Sequence, residues 1–263
     1  TVERKDKSEQ PPKLYDLTTL QREANRMQGY TAQQTLDYVQ SLYEKKLCTY
    51  PRTDSRYLTE DMAAGLPVLI NAVAKALPFM KGTAAYMNPG QVINSAKVSD
   101  HHAIIPTLTM RETDLDALPE GERSVLYMIA ARLVCAVGNK HDYSETTVTL
   151  DCAGHAFTAK GKAILASGWK EAEQRFRATL KQQPEDSKED APEALPVLTE
   201  GQAFEVMVAS VKEGKTTPPK HFTEDTLLSA METAGAEDMS EDAERKGLGT
   251  PATRAGIIEK LVK

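Results

Sequence analysis

The sequence predicts an α+β fold, because its hydrophobic patterns come in three blocks: helical, then β, then helical again. Helical periods dominate up to about residue 137, alternating runs lie between residues 146 and 209, and a helical pattern returns at Thr223. Parallel α/β proteins instead alternate strand and helix throughout. We find no internal repeat, and 263 residues suffice for one large domain or two small ones.

Two helices are predicted first. Residues 18–21 begin one helix and Gly29 ends it, while Thr31 begins the next as an N-cap, with Gln34 placed to complete a capping box. One face of the second helix is apolar and comprises Leu36, Val39, Tyr43 and Leu47.

The middle of the chain is predicted to be helical at both ends and irregular between them. Residues 59–78 read as mostly helical with an interruption at 65–67, and residues 80–111 as loop-rich. Residues 121–137 form a strong amphipathic pattern that Gly138 closes.

Three runs are predicted to be strands, at residues 146–150, 156–159 and 204–209, with a turn at Gly154 between the first two. Residues 182–200 separate the second run from the third and form an acidic, proline-containing loop.

Two further helices are predicted near the end of the chain. Phe222 and Leu227 are spaced for a hydrophobic staple around a helix that begins at Thr223. Thr250 as N-cap, followed by Pro251, marks the start of the last helix.

The overall charge argues at first against a nucleic-acid partner, since 38 acids outnumber 32 Lys and Arg residues for a net charge of −6. The acids are concentrated, however. Residues 182–200 and residues 232–245 each hold six acids and one base, so that removing both segments turns −6 into +4. The mildly basic remainder is compatible with weak, salt-sensitive DNA binding.

Other composition features exclude several classes. No stretch of about 18 apolar residues is present, so no membrane span is expected. Cys48, Cys135 and Cys152 form neither a zinc motif nor a disulfide framework, which favours a reducing cytoplasm. The chain starts at Thr1 without a signal peptide and stops within a helical pattern, so it is expected to be part of a longer protein.

The most informative segment is residues 48–55 (CTYPRTDS). Pro51 places Tyr50 in extended backbone, where Tyr50 and Arg52 share a face. A tyrosine hydroxyl is a weak nucleophile unless its proton is removed or positive charge favours the phenolate. Arg52 could supply that charge or bind a phosphate through two N–H bonds. From the pattern alone, a tyrosine between polar residues at a helix end is more usually a partly buried scaffold residue.

Two other segments carry polar groups suited to phosphate chemistry. In residues 99–107 (SDHHAIIPT), His101 and His102 should point apart, which makes a poor metal pair but leaves one as a proton shuttle or phosphate donor. In residues 247–254 (GLGTPATR), glycines before a capped helix form an anion seat, to which Thr253 and Arg254 could add. The alternatives are a surface histidine loop and an ordinary turn.

Taken together, the segments YPRTDS (50–55), HHAIIPT (101–107) and GLGTPATR (247–254) resemble, in order and separation, the type IA DNA topoisomerases, and most of all their bacterial topoisomerase III branch. Supporting matches are LQREAN at 20–25, LYE at 42–44 and PPKHFTE at 218–224. The resemblance extends from about Leu14 to the end of the chain.

The resemblance implies transient cleavage of one DNA strand through a 5′-phosphotyrosyl link, then strand passage and religation, without ATP. It makes Tyr50 the nucleophile, Arg52 and His101 contacts of the scissile phosphate, and Asp54 a supporting residue that orients Arg52 or Tyr50. Gly249, Thr250 and Thr253, with Arg254 beside them, correspond to part of a single-stranded DNA groove.

The resemblance also implies a Mg²⁺-binding Toprim domain that this chain lacks, so no metal ligand is expected here and the chain alone should be inactive. The motif Asp114-Leu115-Asp116 does not match the Toprim acidic cluster. Single-stranded DNA and the Toprim domain of the same protein are the implied partners, and a monomer is expected.

By the same resemblance, residues 1–17 end an arch strand and lead into a linker, and residues 18–144 form the helical domain that carries the tyrosine. Residues 145–216 return to a β-rich arch, and residues 217–263 begin a helical base domain that binds single strands.

Other functions remain open from the sequence. A tyrosine recombinase would place its tyrosine near the end of a helical domain, and a relaxase would show three clustered histidines. A non-catalytic nucleic-acid-binding module that kept the fold is the third alternative.

Overall fold

The chain forms ten helices and strands in the computed structural model, which describes residues 1–80, 87–180, 195–206, 208, 210–211, 213–235 and 247–262. These are β1 (Val2–Glu9), α1 (Leu17–Gln28), α2 (Ala32–Glu44), α3 (Leu66–Ala76), α4 (Glu120–Ala136), β2 (His141–Cys152), β3 (His155–Ala166), α5 (Lys170–Arg177), α6 (Glu224–Thr233) and α7 (Pro251–Val262). Short 3₁₀ turns lie between residues 60 and 117. The predicted α+β class is confirmed.

The ends of the first two helices follow their local sequence. Gly29 closes α1 in the left-handed conformation at φ 72°, and Thr31 with Gln34 forms the capping box of α2. Asp16 begins α1 by accepting a hydrogen bond from the Thr19 amide, slightly earlier than predicted. The proline at 67 lies in the first turn of α3 and therefore starts that helix rather than interrupting one.

The sheet is antiparallel, in the order β1-β2-β3. The predicted turn at Gly154 is present, but β2 begins at His141, so the predicted domain boundary at 144/145 falls inside a strand. Residues 141–145 are polar and pair with β1, where Lys7 binds Glu145 at 2.7 Å. Their strand conformation comes from this long-range pairing.

Two parts of the expected arch differ from the prediction. Residues 170–177 form α5, which buries Phe176 in the main core, so this part of 145–216 is helical. In the run 204–209, the described residues are outside any strand and expose Phe204 and Val206, because no described strand pairs with them. The acidic segments lie largely outside the described residues, at 182–194 and 236–245.

The main core is shared by the five helices α1, α2, α3, α4 and α5. A second, smaller core attaches α6 and α7 to α2. The small core consists of Ala32, Leu228, Met231, Ala255 and Ile258. The predicted hydrophobic staple is not buried, because Phe222 is exposed. The start of α6 is stabilised by a capping box between Thr223 and Thr226. None of the described helices is long and apolar enough to cross a membrane.

Polar contacts also fasten α6 to the first two helices. The Arg22 guanidinium donates to Asp225 at 2.9 Å, and the Glu224 carboxylate accepts from the first amide of α2, Ala32 N, at 2.6 Å. A carboxylate at a helix N-terminus is favourably placed against the helix dipole. The end of the chain is thereby held beside the segment that leads to Tyr50.

Candidate active site

Tyr50 and His101 are brought together by backbone pairing between two otherwise irregular segments. Cys48 pairs with Pro106 in an isolated antiparallel bridge, and the Thr49 amide donates to the Ile105 carbonyl at 3.0 Å. The two rings then lie 4.4 Å apart between centroids, at an interplanar angle of 46°. The first and second motifs therefore form one site.

The Tyr50 side chain is half-buried and packs against aromatic rings. The ring of Tyr43, at the end of α2, meets it edge to face at 5.4 Å. These contacts fix the phenol ring, and its hydroxyl makes no hydrogen bond to the described residues. Such a hydroxyl is available to a substrate.

A cleft of about 160 Å³ joins all three motifs of the sequence. The first motif lines it with Arg52 and Asp54, the second with His101, and the third with Thr250 and the start of α7. Arg52 is exposed, and its Nη1 donates to the neutral Gln40 amide oxygen at 2.7 Å. Its charge is therefore not neutralised by that partner and can turn to an anion in the cleft.

Asp54 is placed differently from the expectation. Its carboxylate accepts a hydrogen bond from Ser99 Oγ at 3.3 Å, while Arg52 is held by Gln40. Asp54 thus ties the first motif to the second along the cleft wall, and in this structure it orients neither Arg52 nor Tyr50. Of the two adjacent histidines, only His101 lines the cleft and lies against Tyr50, whereas the His102 Nδ1 lies 2.8 Å from its neighbour's carbonyl, Ala103 O.

The third motif presents the beginning of α7 to the cleft. Gly249 adopts φ 66°, which favours glycine, and the Thr250 amide donates to Thr253 Oγ1 at 2.9 Å. The hydroxyls of Thr250 and Thr253 lie 3.2 Å apart on the surface. This turn offers hydroxyl groups and a helix N-terminus to an anion.

Arg254 does not face the cleft, contrary to the expectation. It is only 4% exposed and donates to Leu248 O at 3.0 Å, to Gly249 O at 3.3 Å and to Thr18 Oγ1 at 3.1 Å. The physical reason is the packing of α7 against the start of α1, which turns this side chain inward. Arg254 shapes the glycine turn and fastens it to α1.

Sequence reasoning missed Thr49, which fixes the relative position of the two aromatic rings. Its hydroxyl donates to the Ala103 carbonyl at 3.1 Å and accepts from the Ile105 amide at 3.0 Å. Thr49 therefore holds the backbone on both sides of Ile104. The signal for Thr49 in the sequence is its position next to Tyr50. That position does not indicate a hydrogen bond to Ala103, which lies 54 residues away.

Known proteins resemble this chain over most of its length. The family model described as DNA topoisomerase matches residues 1–263. Curated relatives include DNA topoisomerase 3 of Bacillus licheniformis (41% identity) and of Bacillus subtilis (40%), each aligned with 95% of this chain and 35% of the relative. The chain thus spans about a third of the length of these relatives.

A solved structure, full-length topoisomerase I from Thermotoga maritima, matches with a TM-score of 0.71 at 22% identity, covering 100% of this chain and 39% of that one. At that identity the likeness shows the fold alone. The family match over the whole length, together with the curated relatives, shows that the chain belongs to the type IA DNA topoisomerases and supports its place in the topoisomerase III branch.

Proposed function

We propose that this chain supplies the nucleophile and part of the single-strand cleft of an ATP-independent type IA topoisomerase. The observation that carries the proposal is that Arg52 and His101 line one cleft with the start of α7, and that the Tyr50 ring lies against His101. The enzyme would relax or decatenate DNA by cutting one strand, passing another through the gap and resealing the cut. We expect it to act as a monomer in the cytoplasm.

In the proposed cleavage step, Tyr50 Oη attacks the phosphorus of a single-stranded DNA linkage. The Oη–P bond forms as the P–O3′ bond breaks, the phenol loses its proton, and the released 3′ oxygen takes one up. The 5′ phosphate stays on Tyr50. One phosphoester replaces another, so that religation runs the same exchange backwards without ATP.

Arg52 and His101 are proposed to bind the scissile phosphate. Phosphoryl transfer depends on in-line placement and on positive charge or N–H donors at the non-bridging oxygens. The Arg52 fork suits two such oxygens, and His101 lies against the ring of the nucleophile. Gly249, Thr250 and Thr253 are proposed to hold the strand that leads to this phosphate.

Magnesium does not fit the part of the chain that the structure describes, since no three His, Cys, Asp or Glu side chains there are grouped to hold a metal ion. We propose that Mg²⁺ ligands belong to a Toprim domain outside this sequence, and that Tyr50 meets them when the two parts dock.

The test combines the chain with a separately made Toprim domain, Mg²⁺ and a single-stranded oligonucleotide labelled at its 3′ end. A 5′-phosphotyrosyl link leaves the 3′ label on the protein, whereas a 5′ label is released. We expect a denaturation-resistant adduct whose peptide contains Tyr50. A relative that only binds nucleic acid would give no adduct, and attachment through the other end of the cut would exclude this class of enzyme.

The chain alone is expected not to relax supercoiled plasmid DNA, even with Mg²⁺, because Arg52 and His101 supply only part of the charge stabilisation that the step needs. Gel electrophoresis of plasmid topoisomers would show unchanged supercoils. Relaxation by the chain alone that disappears in Tyr50→Phe would contradict the need for a second domain.

Replacing Thr49 with valine is expected to slow adduct formation about tenfold or more, because small misplacements of reacting groups have large effects on rate. Valine keeps the shape but leaves the Ile105 amide without its hydroxyl partner. Thr49→Ser retains the hydroxyl and should stay within about threefold of the parent. The adduct yield against time in the Toprim mixture measures both. Equal rates for the valine and serine variants would show that the Thr49 hydroxyl does not position the reacting groups.

A further inference from the structure

A second cleft, which includes the residues that follow the first motif in the chain, is lined by an aromatic ring and by cations that the mechanism above does not use. It encloses about 160 Å³, and its lining includes Lys13, Arg56 and Tyr57. The Lys13 ammonium lies 5.4 Å from the centre of the Tyr57 ring, and the Lys97 ammonium lies 5.2 Å from it. Two lysines thus converge on one half-buried tyrosine.

The convergence of these cations is not explained by ion pairing. Within the described residues, neither Lys13 nor Lys97 lies within 4 Å of a carboxylate. Arg56, the third cation, is paired with Asp16 and stands near Glu232. Both ammonium groups place positive charge beside one ring, and this charge would attract an incoming anion.

The two clefts share no lining residue but are linked by one stretch of paired chain. Residues 54–58 run beside residues 92–99: Asp54 binds Ser99, Ser55 Oγ donates to the Lys97 carbonyl at 2.8 Å, and Leu58 bridges Ile93. Asp54 lies at one end of this pairing, and the Tyr57 ring at the other.

The spacing suits one strand that occupies both clefts. Three residues of extended chain, from position 54 to position 57, span at most about 10 Å. That length corresponds to roughly two or three nucleotide steps of a DNA strand.

We propose that this second cleft binds the DNA strand a few nucleotides from the scissile phosphate, with a base on the Tyr57 ring and the neighbouring phosphates on Lys13 and Lys97. Single-strand sites elsewhere combine aromatic stacking with a cationic groove. The flexible lysines move from the ring to the phosphates when the base arrives. This inference rests on the proposed function, because it extends the path of the same substrate.

The test measures binding of a fluorescein-labelled oligodeoxythymidylate of about 20 nucleotides to the 263-residue chain by anisotropy over a range of salt concentrations. Tyr57→Leu should weaken binding about fivefold or more, while Tyr57→Phe, which keeps the ring, should stay within about twofold. A strand of the same length without bases should bind Tyr57→Leu and the parent equally.

The lysines are tested by the double variant Lys13→Gln/Lys97→Gln. Loss of two phosphate contacts should make the slope of log affinity against log salt shallower by about 1.4, and weaken binding about tenfold at low salt. The matched control, Lys5→Gln/Lys160→Gln, removes two exposed charges from β1 and β3 and should change the slope by less than about half as much. Circular dichroism would verify that each variant is folded.

Unchanged affinity in Tyr57→Leu and in the Lys13/Lys97 variant would contradict the proposal that the second cleft binds DNA. An equal loss of affinity in the Lys5/Lys160 control variant would contradict it as well. These outcomes are separate from the proposed function. Failure to form any Tyr50 adduct would count against the function, whereas a normal adduct with unaltered binding by the Tyr57 and lysine variants would overturn this inference alone.

Discussion

Replacing Tyr50 with phenylalanine is expected to abolish the covalent DNA adduct, with a fall of at least about a thousandfold in the presence of the Toprim domain. The change removes one oxygen and leaves the ring. The contacts with His101, at 4.4 Å, and with Tyr43, at 5.4 Å, are therefore retained, and the site should keep its shape. Transfer of a 3′ label to the protein, followed by denaturing electrophoresis, measures the loss.

Tyr43 provides a matched control for this experiment. It is a tyrosine in contact with Tyr50, more exposed than it, and lies outside the three motifs of the site. Tyr43→Phe should form the adduct within about twofold of the parent. An adduct that persists in Tyr50→Phe would assign the nucleophile elsewhere, and a comparable loss in Tyr43→Phe would show that the phenol pair acts together.

The proximity of Tyr50 and His101 was predictable from a family resemblance but not from the pattern of the residues. Their meeting depends on Thr49, whose amide and hydroxyl pair with residues 103–105. Such isolated bridges are too short to show the alternation by which strands are predicted. Short motifs therefore identify the residues of the site, but sequence periodicity does not predict that these residues meet.

Arg254 illustrates a limit of motif reasoning. Arg254 lies one turn into a helix that begins at a glycine-rich turn. An arginine at such a position can bind an anion, or it can be buried and hold the turn through hydrogen bonds. Its contact with Thr18 spans 236 residues of chain, so no local pattern distinguishes the two. The packing of α7 on α1 determines the outcome.

The fold was predicted best where local signals are strong. Gly29 and the Thr31 capping box mark helix ends through bonds within a few residues. In contrast, α5 has only Ala172 and Phe176 as buried residues, and the start of β2 is polar. The polar start of β2 takes its conformation from pairing with β1, whereas α5 packs against α4 and is also favoured locally by its Glu171–Arg175 and Glu173–Arg177 pairs.

The second large effect is expected from a largely buried polar network, in which the Arg132 and Glu23 side chains are 14% and 13% exposed. The Tyr15 hydroxyl donates to the Glu23 carboxylate at 2.6 Å, and the Arg132 guanidinium donates to that carboxylate and to the Tyr15 oxygen. The Arg132 guanidinium also lies 4.3 Å from the centre of the Tyr15 ring. The Tyr15 carbonyl accepts from the Ile104 amide, so this network supports the segment that Thr49 clamps.

Arg132→Met is expected to lower the free energy of unfolding by about 3 to 5 kcal/mol, because it leaves the Glu23 carboxylate buried without its cation. Arg123→Met on the same helix is the matched control. Arg123 pairs with Asp116, whose side chain is 93% exposed, and should contribute about 1 kcal/mol or less. Urea unfolding followed by circular dichroism compares the two. Similar losses in both variants would show that burial of the Glu23 pair carries no special energy.

The same network predicts how stability depends on pH. Burial alone raises the pKa of Glu23, but the Arg132 charge and the hydrogen bonds from Tyr15 and Arg132 outweigh it, so that the pKa lies below its ordinary value of 4.5. A carboxylate with a lowered pKa stabilises the fold fully above the unfolded pKa, and this contribution is lost as the pH falls through the lower, folded pKa. Glu23→Gln cannot titrate, so its deficit relative to the parent should be largest near pH 7 and should shrink below about pH 4. A deficit that stays constant across this range would mean that the amide and the carboxylate differ only in packing, and that Arg132 does not stabilise the charge of Glu23.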